Sequence, residues 1–91
     1  MLKQAHLTIS GRVQGVFFRD FTQENAELLD LTGWVRNAAD GTVEAVVQGE
    51  ESKIKELIKR LNQGPNSANV TEVKVDWHEV NEVFDDFAVR Y

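Results

Sequence analysis

The residues best suited to chemistry lie early in the chain. The segment Gly11-Arg12-Val13-Gln14-Gly15-Val16-Phe17-Phe18-Arg19 places glycines and arginines together, just ahead of a stretch with helical periodicity. Glycine tolerates the positive φ that lets successive N–H groups face one centre, and such a concavity binds anions. At a helix start the first amides lack intrahelical acceptors, so a cation there is opposed by about 0.3–1 kcal/mol. Arg19 is therefore badly placed unless something negative joins it. A bound phosphate resolves the conflict, because the guanidinium offers two parallel donors to its oxygens while loop amides take the others. Loop chemistry alone leaves a second reading open, in which Arg19 pairs with Asp20, Glu24 or the terminal carboxylate and the glycines only form a turn.

Asn37 is the other candidate. An uncharged amide can accept a hydrogen bond from a water and donate one to a phosphate oxygen, without the repulsion that a carboxylate brings to an anion. It is equally suited to starting the turn that carries Asp40-Gly41, and that reading also stands at this point.

The elements that must position these residues follow from periodicity. Ala5-His6-Leu7-Thr8-Ile9-Ser10 alternates apolar and polar residues as a half-buried strand does. Over residues 18 to about 31, Phe18, Thr22, Asn25, Ala26 and Leu29 fall on one helical face. Gly33-Trp34-Val35-Arg36-Asn37 and residues 42–48 read as two strands of a hairpin turning at Asp40-Gly41. Ile54, Leu57, Ile58 and Leu61 mark a second amphipathic helix that Gly64-Pro65 closes. Residues 70 to about 80 alternate again, and residues 84–91 supply a last short strand.

This order, β-α-β-β-α-β with a short terminal strand, predicts a ferredoxin-like α+β sandwich with an antiparallel sheet and both helices on one face. In such a split βαβ unit the first two strands run the same way with the third between them, so their C-terminal ends share one end of the sheet. Asn37 then comes into the neighbourhood of the loop that ends at Arg19.

With 91 residues the chain has room for one domain over residues 1–91. A hydrophobic fraction of 42% is too high for a disordered chain. The absence of cysteine removes disulfides, a thiolate nucleophile and any sulfur-ligated metal site. The start Met1-Leu2-Lys3-Gln4-Ala5-His6 has no apolar signal core, and no apolar run is long enough to span a membrane, which predicts a cytoplasmic protein. Fifteen acidic against ten basic residues give a charge of −5 and argue against nucleic acid or an anionic membrane as partner. His6 and His78 lack metal-ligand spacing and read as surface or edge residues; Trp34, Trp77 and Phe87 read as core or sheet-face aromatics, and Arg12 and Arg36 as solvated strand-end arginines.

Two segments carry a family resemblance. Gly11-Arg12-Val13-Gln14-Gly15-Val16-Phe17-Phe18-Arg19 resembles the first acylphosphatase signature, and Gly33-Trp34-Val35-Arg36-Asn37-Ala38-Ala39-Asp40-Gly41-Thr42-Val43-Glu44 resembles the second. Gly64-Pro65 and Phe87-Ala88-Val89-Arg90-Tyr91 are similar to later family features. The resemblance implies hydrolysis of an acyl phosphate to a carboxylate and inorganic phosphate, by a monomer needing no cofactor and no metal. It implies that backbone amides of Gln14, Gly15, Val16, Phe17, Phe18 and Arg19 cradle the phosphoryl group, that Arg19 binds it and that Asn37 orients water. Inorganic phosphate is then both product and competitive inhibitor. The chain departs from the family pattern at Asp30, where many members have glycine at the end of the first helix, and at Pro65-Asn66-Ser67.

The residues agree with that chemistry. A carboxylate leaves readily at neutral pH, so no general acid is needed. A rival reading keeps the anion cradle but makes the chain a non-enzymatic sensor of a phosphate or carboxylate metabolite; turnover separates the two. An RNA-binding module is disfavoured because residues 42–48 carry no aromatic stacking residue, and a metal chaperone because there is no Cys-x-x-Cys pair.

Overall fold

Alternation in the first strand is written directly into the core: Ala5, Leu7 and Ile9 are fully buried, while the residues between them face away from the helices. In the computed structural model, which describes residues 2–91, the elements are β1 (Lys3–Arg12), α1 (Phe18–Leu28), β2 (Thr32–Asn37), β3 (Val43–Gly49), α2 (Glu51–Gln63), β4 (Asn69–His78) and β5 (Phe87–Arg90). The strands lie in the order β4-β1-β3-β2-β5. Both helices cover one face, where Phe18 and Ala26 of α1 and Ile54, Leu57 and Leu61 of α2 meet Leu7, Ile9, Val35, Val43, Ala45 and Val47 of the sheet. This is the ferredoxin-like α+β arrangement the element order predicts. Arg60 ties the helices together by donating to the Asn25 side-chain oxygen at 3.1 Å.

The first four strands pair antiparallel, and β5 adds to β2 in parallel, so the sheet is mixed. The chain leaves β4 at one edge and returns beside β2 at the other. Gln48, fully buried on β3, holds this return in place: its amide donates to the Gln4 side-chain oxygen at 2.8 Å and to the Glu82 carbonyl, and its own oxygen accepts from the Phe84 amide at 3.0 Å. The last strand consequently starts at Phe87 rather than at residue 84.

Helix α1 ends at Leu28, earlier than its apolar pattern suggests. The Leu31 amide donates back to the Ala26 carbonyl at 2.9 Å and the Asp30 amide to the Glu27 carbonyl at 3.1 Å, a Schellman closure with Asp30 at φ 58. Gly11 belongs to β1 and not to the loop. A bulge against β4 falls between Ser10 and Gly11, and a Cβ at Gly11 would lie 2.1 Å from the Asn69 carbonyl oxygen, so the position requires glycine for close strand approach.

Candidate active site

β1 and β2 both run antiparallel to β3, and their C-terminal ends open on the same end of the sheet. The loop after β1 and the turn after β2 therefore meet there. Between them lies a cleft of about 320 Å³ lined by Val13, Gly15, Phe17, Phe18, Arg19, Asp20, Asn37 and Tyr91. Arg19 and Asn37 stand in it together, with Gly15, Phe17 and Phe18 of the loop. Gln14 lies beside it with its side chain turned to the β2–β3 turn, and Val16 is buried beneath it in the core.

The loop backbone is shaped for an anion. Gly15 takes φ 75 and Phe17 φ 62, alternating with residues outside the left-handed region. Such alternation turns consecutive N–H groups toward one side. Phe17 is the N-cap of α1, and no side chain caps the helix. The first main-chain bond at this end runs from the Phe21 amide to the Phe17 carbonyl at 3.0 Å. The Phe18, Arg19 and Asp20 amides thus precede the first helical bond and are free for a ligand. Phe17, 79% exposed, holds its left-handed conformation without glycine's freedom, a strain of roughly 1–2 kcal/mol set beside the cleft.

Arg19 forms no ion pair with Asp20, Glu24 or the terminal carboxylate among the described residues. Its Nη1 donates to the Arg90 carbonyl at 3.2 Å, and its guanidinium carbon lies 4.4 Å from the centre of the Tyr91 ring. A neutral carbonyl and a ring face orient the cation without neutralising it, which leaves its charge available to an anion.

The β2–β3 turn is held without the Asn37 side chain. The Ala38 amide donates to the Thr42 carbonyl at 2.8 Å and the Gly41 amide to the Ala38 carbonyl at 3.2 Å. The Asp40 carboxylate accepts from the Thr42 amide at 3.0 Å and the Thr42 hydroxyl at 2.7 Å; these bonds hold its carboxyl below the ordinary range. Among the described residues the Asn37 side chain has no protein hydrogen-bond partner, so its amide is free to face the cleft.

The other candidates lie elsewhere. His6 is 2.5 Å from Glu44, which also accepts from Arg36 Nε at 2.6 Å, all on the open face of the sheet. Burial works to raise the Glu44 carboxyl, but the bonds from His6 and Arg36 outweigh it and bring it below its ordinary value. His78 packs edge-on against His6, with ring centres 6.3 Å apart. Trp34 has the Arg36 and Arg90 guanidinium groups against its ring on that face, Phe87 is in the core, and Trp77 is 45% exposed at the end of an edge strand. A larger hollow of about 510 Å³ sits at the opposite end of the sheet, around Leu2, Lys55 and Trp77, remote from the loop. No group of three or more His, Cys, Asp or Glu residues able to hold a metal occurs among the described residues, and no helix is long and apolar enough to cross a membrane.

A family model described as acylphosphatase matches residues 5–89 of this sequence. The chain belongs to the acylphosphatase family. It is 41% identical over 88 residues to an acylphosphatase from Pelotomaculum thermopropionicum, covering 97% of this chain and 96% of that protein. Its fold superposes on the structure of an acylphosphatase from Coxiella burnetii with a TM-score of 0.93 at 45% identity, over 98% of this chain and 93% of the other. The crystal structure of acylphosphatase from Bacillus subtilis gives a TM-score of 0.94 at 35% identity over the whole of both chains. The chain is therefore an acylphosphatase-family hydrolase, acting on acyl phosphates.

Viewed as part of an acylphosphatase, the cleft has two features that residue types did not reveal. The Arg90 carbonyl reaches Arg19 across 71 positions of sequence, with Tyr91 beside it, because parallel pairing brings β5 alongside β2. The Gln14 side chain bonds to the β2–β3 turn, whereas the sequence suggested only a backbone role for that residue. Neither contact has a local sequence signal.

Proposed function

We propose that residues 1–91 act as one cytoplasmic, monomeric acylphosphatase domain in which Arg19 and the amides of Gln14 to Arg19 bind the phosphoryl group and Asn37 positions the attacking water. The single observation that carries this reading is that Arg19 and Asn37 line one cleft with the loop, Arg19 without an ionic partner and the Asn37 side chain without a hydrogen-bond partner among the described residues.

Two parallel guanidinium donors and the free amides at the start of α1 hold three phosphoryl oxygens and offset the charge that builds on them. The Asn37 side-chain oxygen accepts from the water and its NH2 donates to a phosphoryl oxygen, which aligns the water with the phosphorus. The water oxygen bonds to phosphorus while the bond to the acyl oxygen breaks. The carboxylate leaves with that electron pair and needs no proton at neutral pH. The water's proton passes to a phosphoryl oxygen of the substrate. No residue is asked to act as general acid or base, and none in the cleft is a histidine.

The reading is tested by following loss of the mixed anhydride of a simple aryl acyl phosphate with the protein held in a strong chelator. Turnover is expected to persist, with inorganic phosphate competing with substrate. Abolition by the chelator and rescue by one metal, or purely noncompetitive phosphate inhibition, would contradict it.

A further inference from the structure

Gln14 enters the proposed function only through its main-chain amide, yet its side chain makes the most specific contact between the loop and the turn that bears Asn37. Its Nε2 donates to the Ala38 carbonyl at 2.8 Å and to the Thr42 carbonyl at 2.9 Å. Both amide protons are used, one on each side of the β2–β3 turn. The Thr42 carbonyl also accepts from the Ala38 amide, so Gln14 is bonded across the rung that closes the turn. Ala38 directly follows Asn37, and the clamp is half-buried. Few other side chains meet these demands: two donors on one atom, no charge to desolvate, and the length to span from loop to turn.

We infer that the Gln14 side chain is a positioning residue, which fixes the separation between the phosphate-binding loop and Asn37. The inference rests on the proposed role of Asn37. The loop carries the phosphoryl group and the turn carries the water, and these parts belong to different strands joined at this end of the sheet by the Gln14 amide. Displacing an oriented group by about 1 Å can cost on the order of 100-fold in rate. Loss of the clamp therefore acts on catalysis, while the loop amides and Arg19 still hold phosphate.

Gln14→Met keeps the length and removes both donors. Its kcat is expected to fall about 10- to 100-fold, with the phosphate inhibition constant within about 3-fold of the parent. Gln14→Glu supplies an independent reading: ionised, it faces two carbonyls with no donor, whereas protonated it regains one. Its kcat relative to the parent should rise as pH falls and the carboxyl takes up its proton, above the ordinary carboxylate range because part-burial and the two facing carbonyls disfavour the charge. In the double variant Gln14→Met/Asn37→Ala, kcat should stay within about 3-fold of Asn37→Ala alone, because the clamp acts through Asn37. Folding of each protein is followed by thermal unfolding.

Parental kcat in Gln14→Met overturns the inference. So does phosphate affinity falling as far as kcat, which would make the side chain part of the cradle, and so does an Asn37→Ala loss that multiplies fully with the Gln14→Met loss. If Gln14→Met does not fold, the pH profile of Gln14→Glu decides, and a flat ratio to the parent overturns the inference. Asn37→Ala turning over like the parent removes the water-positioning role itself, and this inference with it.

Discussion

The guanidinium of Arg19 sits 4.4 Å from the centre of the Tyr91 ring and donates to the carbonyl of Arg90, so the last residues of the chain orient the cation at the first turn of α1. β5 is held for this purpose at several points. Gln23 of α1 donates to the Phe87 carbonyl at 2.9 Å, and the Gly33 amide to the Asp86 carbonyl at 2.9 Å. The positive end of α1 and Arg19 are thereby fixed by the end of the chain as well as by the loop.

Tyr91→Ala should raise KM and the phosphate inhibition constant by roughly 2- to 5-fold with little change in the fold, since an exposed cation–π contact is worth about 0.5–1 kcal/mol. Arg19→Lys should lower kcat/KM by about 100-fold or more, because an ammonium cannot reproduce the bidentate fork. Steady-state kinetics with phosphate inhibition checks both. Arg19→Lys at near-parental turnover would remove Arg19 from the chemistry.

Asp30→Gly should stabilise the protein. Asp30 is exposed at φ 58, and its carboxylate lies at the negative end of α1, so glycine relieves both the Cβ strain and the charge. The expected gain is about 0.5–1 kcal/mol, or roughly 3–6 °C in Tm for a domain of this size, with kcat unchanged. A lower Tm would mean that the Asp30 side chain holds something its exposure does not suggest.

Glu44 should contribute to acid sensitivity. Its folded carboxyl lies below the ordinary 4.5, so it favours folding fully above that value and loses the contribution as pH falls through the lower folded value. Partial solvent screening keeps the effect under about 1 kcal/mol. Glu44→Gln should flatten the stability profile below pH 4.5, measured by urea unfolding at several pH values. His6→Ala and His78→Ala should keep most turnover, because both rings lie on the open sheet face and not in the cleft.

The fold was legible where a local pattern has one structural outcome. Ile54, Leu57, Ile58 and Leu61 admit only an amphipathic helix, and the alternation at Ala5, Leu7 and Ile9 only a half-buried strand. The meeting of Asn37 with the loop was legible through topology, since parallel β1 and β2 must end on the same side. The left-handed Asp30 was signalled only through the family resemblance, where many members have glycine; the apolar pattern itself ran on to about residue 31. What could not be read depends on distant pairing: the parallel seating of β5, the burial of Gln48 to hold the chain's return, and Tyr91 on Arg19. Phe17 is a different case, because nothing in a phenylalanine announces φ 62. The surrounding loop imposes it.

The central claim is a division of labour in which Arg19 and the loop hold phosphate while Asn37 aligns water. Its most direct measurement is kcat together with the phosphate inhibition constant for Asn37→Asp and Asn37→Ala, with folding checked by thermal unfolding. Both variants should lose about 100-fold in kcat; phosphate inhibition should stay within about 3-fold in Asn37→Ala and weaken further in Asn37→Asp, whose added charge repels the anion. A folded Asn37→Asp that turns over like the parent would contradict the claim and leave Asn37 as a turn residue.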